Sequence, residues 1–230
     1  SWKVRKRLFT LPRSSWDDYD KALISRGGGV FPRTLKRIPL SPQVRALLDT
    51  EAKELDPESL ISAVLTAPVD LLWFGGIGTF VKASGENNVS VGDRTNDALR
   101  VDGKDIRATV IGEGANLGVT QAGRIEFAQI GAGGRGGRIN TDFIDNSAGV
   151  DCSDNEVNIK IAFAAARREG RLSEDRRDRL LVEMTDEVSA LVLEDNRLQV
   201  LSLSIAEGGG ANSVPSYMRL IDTLEESGGL

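Results

Sequence analysis

Three strand-length segments dominate the pattern in the middle of the chain. VDLLWF (69–74), IRATVI (106–111) and INTDFI (139–144) are followed by GGIGTF, GEGANLG and DNSAG. The largely apolar run VDLLWF is typical of a strand buried on both faces of a parallel sheet. The segment TQAGRIEFAQI between the second and third runs has helical periodicity. The pattern therefore predicts an α/β fold with a partial Rossmann-like parallel sheet.

Helical patterns precede this region and take over after it. Pro42 follows Ser41 and Pro57 follows Asp56, which is the usual chemistry of a helix start. Beyond Val157 only helical periodicity is found, with Ser173 as an expected N-cap. The predicted helices cover 42–48, 57–67, 94–101, 120–130, 157–168, 173–193, 198–207 and 216–227. An all-helical segment is therefore expected to follow the sheet.

These patterns divide the chain into three parts. Residues 1–40 are an irregular basic lead-in, since Pro12, Pro32 and a glycine run break any long element. Residues 41–153 are predicted to form a partial dinucleotide-binding domain, and residues 154–230 a helical region. The irregular start is what a piece of a longer protein would show.

Composition narrows the class of protein. The chain has 230 residues, of which 40% are hydrophobic, enough for a folded core. Its single Cys excludes an intramolecular disulfide framework and fits the cytoplasm. No run of about 18 apolar residues is present, so no membrane span is expected. Histidine is absent, which excludes histidine triads and histidine zinc sites within the chain, and no metal site is predicted.

The net charge of -5 conceals a basic beginning. Lys3, Arg5, Lys6 and Arg7 lie in the first forty residues, whereas the remainder is acidic. A basic arm can bind nucleic acid. Aromatic residues and the acidic DDYD turn interrupt this arm, however, and favour an ordinary solvated or domain-contacting segment.

A dense polar stretch, DNSAGVDCSDNEVNIKI, spans residues 145–161. Ser153 and Glu156 have the spacing of a capping box, in which the two side chains satisfy free N–H groups at a helix start. The pattern therefore predicts that a helix begins at Ser153. The same stretch also follows the third predicted strand, where a ligand of a parallel sheet would bind.

Two glycine-rich strings differ in their position relative to the predicted strands and helices. GAGGRG (131–136) matches the dinucleotide fingerprint literally, but it follows a helix and precedes a strand, so it predicts a loop. GEGANLG (112–118) has the correct order, and Asp142 and Asp145 follow at about the spacing of a ribose-binding acid. Spacing alone leaves open a tight turn or a ligand contact. Three strands with glycine-rich ends favour the ligand contact.

Several long strings resemble the large multidomain bacterial NAD-dependent glutamate dehydrogenases. They are PVDLLWFGGIGTFVKAS, GDRTNDALRV, VIGEGANLGVTQAGRIEFA and GRINTDFIDNSAGVDCSDNEVNIKI, and the resemblance covers nearly the whole chain. Smaller glutamate dehydrogenases share a strand ending in EGAN and an Asn-Ala-Gly-Gly-Val segment with a Ser three residues on. This chain departs from them at Ser147 and Ala148, and LGVT follows its EGAN.

The resemblance implies NAD as cofactor and oxidative deamination of L-glutamate to 2-oxoglutarate and ammonia. It implies that Ser153 contacts the distal substrate carboxylate. The expected cofactor-binding residues are Gly75, Gly76, Gly78, Asn116 and Asn146. The family's catalytic lysine and aspartate have no counterpart in matching context, so no catalytic residue is expected here and the isolated chain should be inactive.

A homo-oligomer is expected for the full-length enzyme. No membrane partner is expected because no long apolar run is present, and no nucleic-acid partner because the basic arm is interrupted. A different class is also compatible with the sequence. The chain could be a non-catalytic α/β interaction module, or its basic arm could bind nucleic acid.

Overall fold

The computed structural model describes residues 2–229, apart from the side chain of Ala148. The chain forms two compact units, of which the first ends at Asp142 and the second begins at Phe143. The division into three parts expected from the sequence stays a prediction.

The first unit alternates short helices and short strands. Its helices are α1 (Trp2–Phe9), α2 (Pro42–Leu48), α3 (Pro57–Leu65), α4 (Asn88–Val91) and α5 (Gln121–Gly134). Its strands are β1 (Ile38–Pro39), β2 (Glu54–Leu55), β3 (Leu71–Phe74), β4 (Val81–Lys82), β5 (Val101–Asp102), β6 (Val110–Glu113) and β7 (Arg138–Ile139).

The central sheet is parallel, as the sequence predicts. Its strand order is β3-β6-β7, with Leu72 opposite Ile111 and Val110 opposite Arg138. Helix α5 connects β6 to β7 and starts at Thr120, whose hydroxyl accepts a hydrogen bond from the Gly123 N–H at 3.0 Å. The prediction of an α/β fold with a partial parallel sheet and a following helical segment is confirmed.

Only one face of β3 is buried, so the prediction of burial on both faces is wrong. Leu72 and Phe74 point into the core, whereas Leu71 and Trp73 are 55% and 56% exposed. The Trp73 ring lies across the backbone of β6, because a Cβ added at Gly112 would be 2.5 Å from the ring. The glycine therefore lets the indole lie flat on this face of the sheet.

The core forms between the other face of the sheet and α5. Phe127 of α5 is fully buried there. A Cβ at Gly103 would lie 2.6 Å from the Gly123 carbonyl oxygen, so this glycine permits close approach of α5. The buried core residues are Leu65, Leu72, Phe74, Val81, Leu99, Ile106, Ala108, Ile111, Ala115, Val119 and Phe127.

The two proline-led helices start as predicted. The Ser41 hydroxyl accepts the Val44 N–H at 3.2 Å. The Asp56 carboxylate accepts the N–H groups of Glu58 and Ser59. Both contacts satisfy donors that the first helical turn leaves free.

Other elements differ from the sequence prediction. The third strand covers only Arg138–Ile139, and a short helix, α6 (Asp142–Asp145), occupies the rest of the predicted run. The predicted helix 94–101 is a single 3-10 turn at Arg94–Asn96. The lead-in contains the helix α1, which its broken pattern does not predict.

The second unit is helical. Its elements after α6 are α7 (Ser147–Arg168), α8 (Glu174–Glu183), α9 (Thr185–Gly209) and α10 (Val214–Glu226). Ser173 caps α8 as predicted, since its hydroxyl accepts the Arg176 N–H at 3.3 Å. The helix predicted over 173–193 is divided at Met184 into α8 and α9.

Much apolar surface in this unit remains exposed. Leu193 is 72% exposed and Ile205 67%, and α10 has no buried residue. Of the apolar residues at positions 180, 181, 184, 188, 191 and 192, Val192 alone is buried. Within residues 2–229, every helix is too short or too polar to cross a lipid bilayer.

Candidate functional site

The segments that follow β3 and β6 line one pocket of about 480 Å³, called the crevice below. Because these strands are parallel, their carboxyl ends open at the same edge of the sheet. Two of the predicted cofactor residues, Gly78 and Asn116, meet here. The lining residues are Ile77, Gly78, Thr79, Asp93, Thr95, Asn96, Asn116 and Leu117.

The other two predicted glycines lie beside the crevice. Gly75 and Gly76 are exposed and line a neighbouring pocket of about 230 Å³ together with Trp73 and Phe80. Ile77 borders both pockets. The turn after β3 therefore lines both pockets.

Gly78 is the glycine that the turn requires. Its φ is 138°, which side-chain-bearing residues rarely adopt. A Cβ there would also lie 2.6 Å from Asn96 Nδ2. At Gly76, by contrast, a Cβ would have open space around it, so the backbone at that position is accessible to a ligand.

Asp93 stabilises the wall of the crevice that residues 93–96 form. Its carboxylate accepts the Thr79 N–H at 2.9 Å and the Asn96 side-chain amide at 2.6 Å. The amide of Asn96, followed by the Thr79 N–H, holds the pKa of Asp93 below its ordinary value. Asp93 is therefore a fixed negative charge at neutral pH.

The buried guanidinium of Arg100 stabilises this wall through hydrogen bonds. It is fully buried and donates to the carbonyl oxygens of Thr79 and Asp93 at 2.8 and 2.6 Å. It also donates to Asn88 Oδ1 at 2.8 Å and to Asp97 Oδ1 at 2.6 Å. Burying this cation costs little because four acceptors surround it.

The loop that carries Asn116 is held at two points. Glu113 Oε1 accepts the Val119 N–H at 3.0 Å. Asp142 Oδ2 accepts the Leu117 N–H at 2.8 Å, and Leu117 has a φ of 56°, in the left-handed region. The loop thus keeps an uncommon backbone conformation that the surrounding structure must impose.

A buried ion pair joins this loop to the next strand end. Arg124 of α5 contacts the fully buried Glu113 and donates to the Asn140 carbonyl oxygen at 2.6 Å. Burial raises the pKa of Glu113, and the hydrogen bond and charge of Arg124 oppose that rise. Arg124 therefore supplies the compensation that Glu113 needs at its buried position.

Asn146 lies in the second unit, at the N-cap position of α7. It is half-buried, and its carbonyl oxygen accepts the Gly149 N–H at 2.9 Å. A Cβ at Gly149 would lie 2.8 Å from Asn146 Oδ1, so the amide rests against the first turn of the helix.

Ser153 is an exposed residue inside α7. The helix already begins at Ser147, so the predicted capping box of Ser153 and Glu156 is wrong. The free N–H groups of a helix start belong to its first turn, which lies upstream of Ser153. Any anion contact by Ser153 would therefore involve its hydroxyl without those N–H groups.

Comparison with known proteins identifies the family. The model of the family described as "Bacterial NAD-glutamate dehydrogenase, catalytic domain" matches residues 1–206. The chain belongs to this family. It is 53% identical over its full length to the NAD-specific glutamate dehydrogenase of Pseudomonas aeruginosa. It is 50% identical over 99% of its length to that of Halomonas elongata. With that of Mycobacterium tuberculosis it shares 53% identity over 97% of its length.

The chain spans only 14% of the length of each of these relatives. The match to these relatives and to the family confirms the resemblance to bacterial NAD-dependent glutamate dehydrogenases that the sequence motifs carry.

The groups that line the crevice are chemically compatible with a bound dinucleotide. The backbone at Gly76 has open space beside it, and Gly78 needs the absence of a side chain. Asn116 and the hydroxyl of Thr95 add neutral polar groups to the lining. Such groups match the carboxamide and hydroxyls of a nicotinamide nucleotide.

Sequence reasoning missed the residues that hold the crevice in place. Arg100 lies in the segment predicted as the helix 94–101 and Asp93 directly precedes it, and neither the helical pattern nor the resemblance assigns them a role. Glu113 and Arg124 each interrupt an apolar segment with a charge, and two opposite charges in buried segments are the signal that could have paired them. Asp142, considered as a ribose acid, instead accepts the Leu117 N–H.

Metal binding finds no support in the described part of the chain. Among residues 2–229, no group of three or more Cys, Asp or Glu side chains is placed to hold a metal ion. Cys152 is a free, half-buried thiol on α7.

Proposed function

We propose that this chain is part of an NAD-dependent glutamate dehydrogenase. The reaction converts L-glutamate, NAD⁺ and water into 2-oxoglutarate, ammonia, NADH and a proton. The chain's role is to form part of the cofactor crevice and one substrate contact. The observation that carries this proposal is the meeting of Gly78 and Asn116 in one pocket at the carboxyl edge of a parallel sheet, in a member of this family.

NAD⁺ supplies the hydride acceptor when bound, and the chain's own residues orient it. Gly75, Gly76 and Gly78 allow close approach of a ligand to the backbone of the turn. The Asn116 amide offers both a donor and an acceptor to the carboxamide or ribose. The ion pair of Glu113 and Arg124 keeps the Asn116 loop in one conformation, which lowers the entropy cost of orienting the ligand.

Asn146 and Ser153 of the second unit are also assigned binding roles. Asn146 is a second cofactor contact, and the exposed Ser153 hydroxyl donates to the distal carboxylate of glutamate or 2-oxoglutarate. A hydroxyl donor to a carboxylate makes a charge-assisted hydrogen bond. The long run of α7 gives both residues a rigid support.

We further propose that the intact enzyme is a cytoplasmic homo-oligomer without a nucleic-acid or membrane partner. The groups that transfer protons during imine formation lie outside this chain, which by itself has no turnover.

The test uses the intact dehydrogenase that contains this chain, with NADH formation followed by absorbance. Asn116→Ala should raise the KM for NAD⁺ about fivefold, the equivalent of about one hydrogen bond between neutral groups. Ser153→Ala should raise the KM for glutamate about tenfold, the equivalent of about one hydrogen bond to a charged group. Ser204→Ala, an exposed serine of α9, is the matched control and should change neither. Unchanged constants in both test variants would contradict the assigned contacts.

A further inference from the structure

The crevice wall formed by residues 93–96 carries a second set of polar groups. Asp93, Thr95 and Asn96 line the same pocket as Gly78 and Asn116. Neither the glycine motifs nor the family resemblance assigns them a role. The wall is one 3-10 turn, Arg94–Asn96, with Asp93 at its start.

The charge of this wall is distinctive. Among the eight residues that line the crevice, Asp93 is the one with a charged side chain. Two hydrogen bonds, from Thr79 and Asn96, stabilise its carboxylate. A fixed negative charge disfavours the pyrophosphate of a dinucleotide and favours a ligand portion that is neutral or positive.

Oxidised and reduced nicotinamide differ in this property. The nicotinamide ring of NAD⁺ carries a positive charge, and the ring of NADH is neutral. A carboxylate beside the ring therefore interacts differently with the two forms, whereas a neutral contact does not. Such a group changes the preference between cofactor forms as well as the affinity.

The wall is also rigid enough to impose this preference. Arg100 donates to the Thr79 and Asp93 carbonyl oxygens and so joins the 93–96 turn to the segment that follows Gly78. Its buried cation lies 4.0 Å from the Asp93 carboxylate and compensates it only in part, because Asp97 shares the same guanidinium. The wall is thus positioned before any ligand binds.

We propose that the Asp93–Asn96 wall binds the nicotinamide riboside end of NAD, with the Asp93 carboxylate favouring NAD⁺ over NADH. Thr95 and Asn96 supply hydrogen-bonding groups to the ribose or carboxamide. This inference rests on the proposed function and adds the orientation of the dinucleotide in the crevice.

The test compares equilibrium dissociation constants of NAD⁺ and NADH for the intact dehydrogenase by titration calorimetry. In Asp93→Asn the Kd of NAD⁺ should rise about tenfold and that of NADH by less than about threefold, the size expected for one charge at a partly exposed site. Asp93→Glu keeps the charge and should keep most of the wild-type ratio between the two constants. It also covers the case in which Asp93→Asn fails to fold.

Asp97→Asn is the matched control, because Asp97 pairs with Arg100 but does not line the crevice. It should shift both constants by the same small factor. The inference would be overturned if Asp93→Asn raised the Kd values of NAD⁺ and NADH by the same factor, or if Asp93→Glu lost the wild-type ratio of these two constants. Glutamate oxidation by the wild-type enzyme would still support the proposed function in that case. A wild-type enzyme without detectable NAD⁺ binding would overturn both.

Discussion

The candidate site residues of the two units differ in how deeply buried their supporting charged groups are. In the first unit, the crevice is held by buried charged groups, of which Arg100 and Glu113 are fully buried. In the second unit, Ser153 lies on an exposed helix surface, and the ion pairs nearby, such as Glu156 with Lys160, are exposed. Buried polar networks fix one geometry because breaking them leaves unpaired charge. The first unit should therefore resist small changes at its surface and fail when its network is broken.

The largest effect is expected from Arg124→Met. It leaves Glu113 buried without its partner, so the intact dehydrogenase should lose about 3–5 kcal/mol of stability, measured by urea unfolding of the region that contains this chain. The KM for NAD⁺ should rise as well, because Glu113 and Arg124 position the Asn116 loop.

The matched control in the second unit is Lys160→Met. Its partner Glu156 is exposed, so the change should cost less than about 0.5 kcal/mol. Adding Glu113→Gln to Arg124→Met should recover part of the lost stability. Equal losses for Arg124→Met and Lys160→Met would refute the contrast between the two units.

A smaller effect is expected from Gly78→Ala. The substitution forces a Cβ against Asn96 at a φ of 138°, at a cost of about 1–3 kcal/mol. NAD⁺ affinity should fall with it, as measured by calorimetry. Gly76→Ala is the control, since a Cβ there meets open space, and its stability should remain within about 0.5 kcal/mol of wild type.

The smallest effect concerns pH and two aspartates that behave in opposite ways. Asp93 has a lowered pKa because Asn96 and Thr79 donate to it, so its stabilisation is present above the unfolded pKa of about 3.9 and lost as pH falls through the folded value. Asp151 of α7 has a raised pKa, first because of burial and then because of Asp195 and Asp154. Its favourable contribution is present at low pH and lost as pH rises through the folded value.

At neutral pH, Asp151→Asn should therefore stabilise the helical unit, by less than about 1 kcal/mol once solvent screening is allowed for. Asp93→Asn should lower the melting temperature instead. Thermal scans of both variants at pH 7 and pH 4 check the signs, and the gain from Asp151→Asn should shrink at the lower pH. A gain that grows at pH 4 would show that the direction assigned to Asp151 is wrong.

Local patterns in the sequence predicted the elements that depend on neighbouring residues. The helix starts after Ser41, Asp56 and Ser173 are confirmed, since a cap is formed by residues two or three positions away. The strand predicted at 69–74 is found at Leu71–Phe74, because its apolar residues are contiguous in the sequence. The helix start at Ser153 was wrong because Ser147 and its neighbours extend the same helix upstream.

Contacts between distant residues were beyond those patterns. The sequence contains Glu113 and Arg124, but their pairing depends on how α5 packs along the sheet. The hydrogen bond from the Leu117 N–H to Asp142 likewise joins two segments that are far apart in the sequence. The burial of β3 on one face likewise depends on which elements cover the sheet.

By itself, the sequence determined the family, the alternation of strands and helices, and the glycine positions, because each is encoded in contiguous residues or their spacing. Only the tertiary structure decided that Asp93, Thr95 and Asn96 line the same crevice as Asn116. It also decided that Arg100 and Arg124 hold the two sides of that crevice in place. Those contacts join segments far apart in the chain, and burial, which gives them their strength, exists only in the folded molecule.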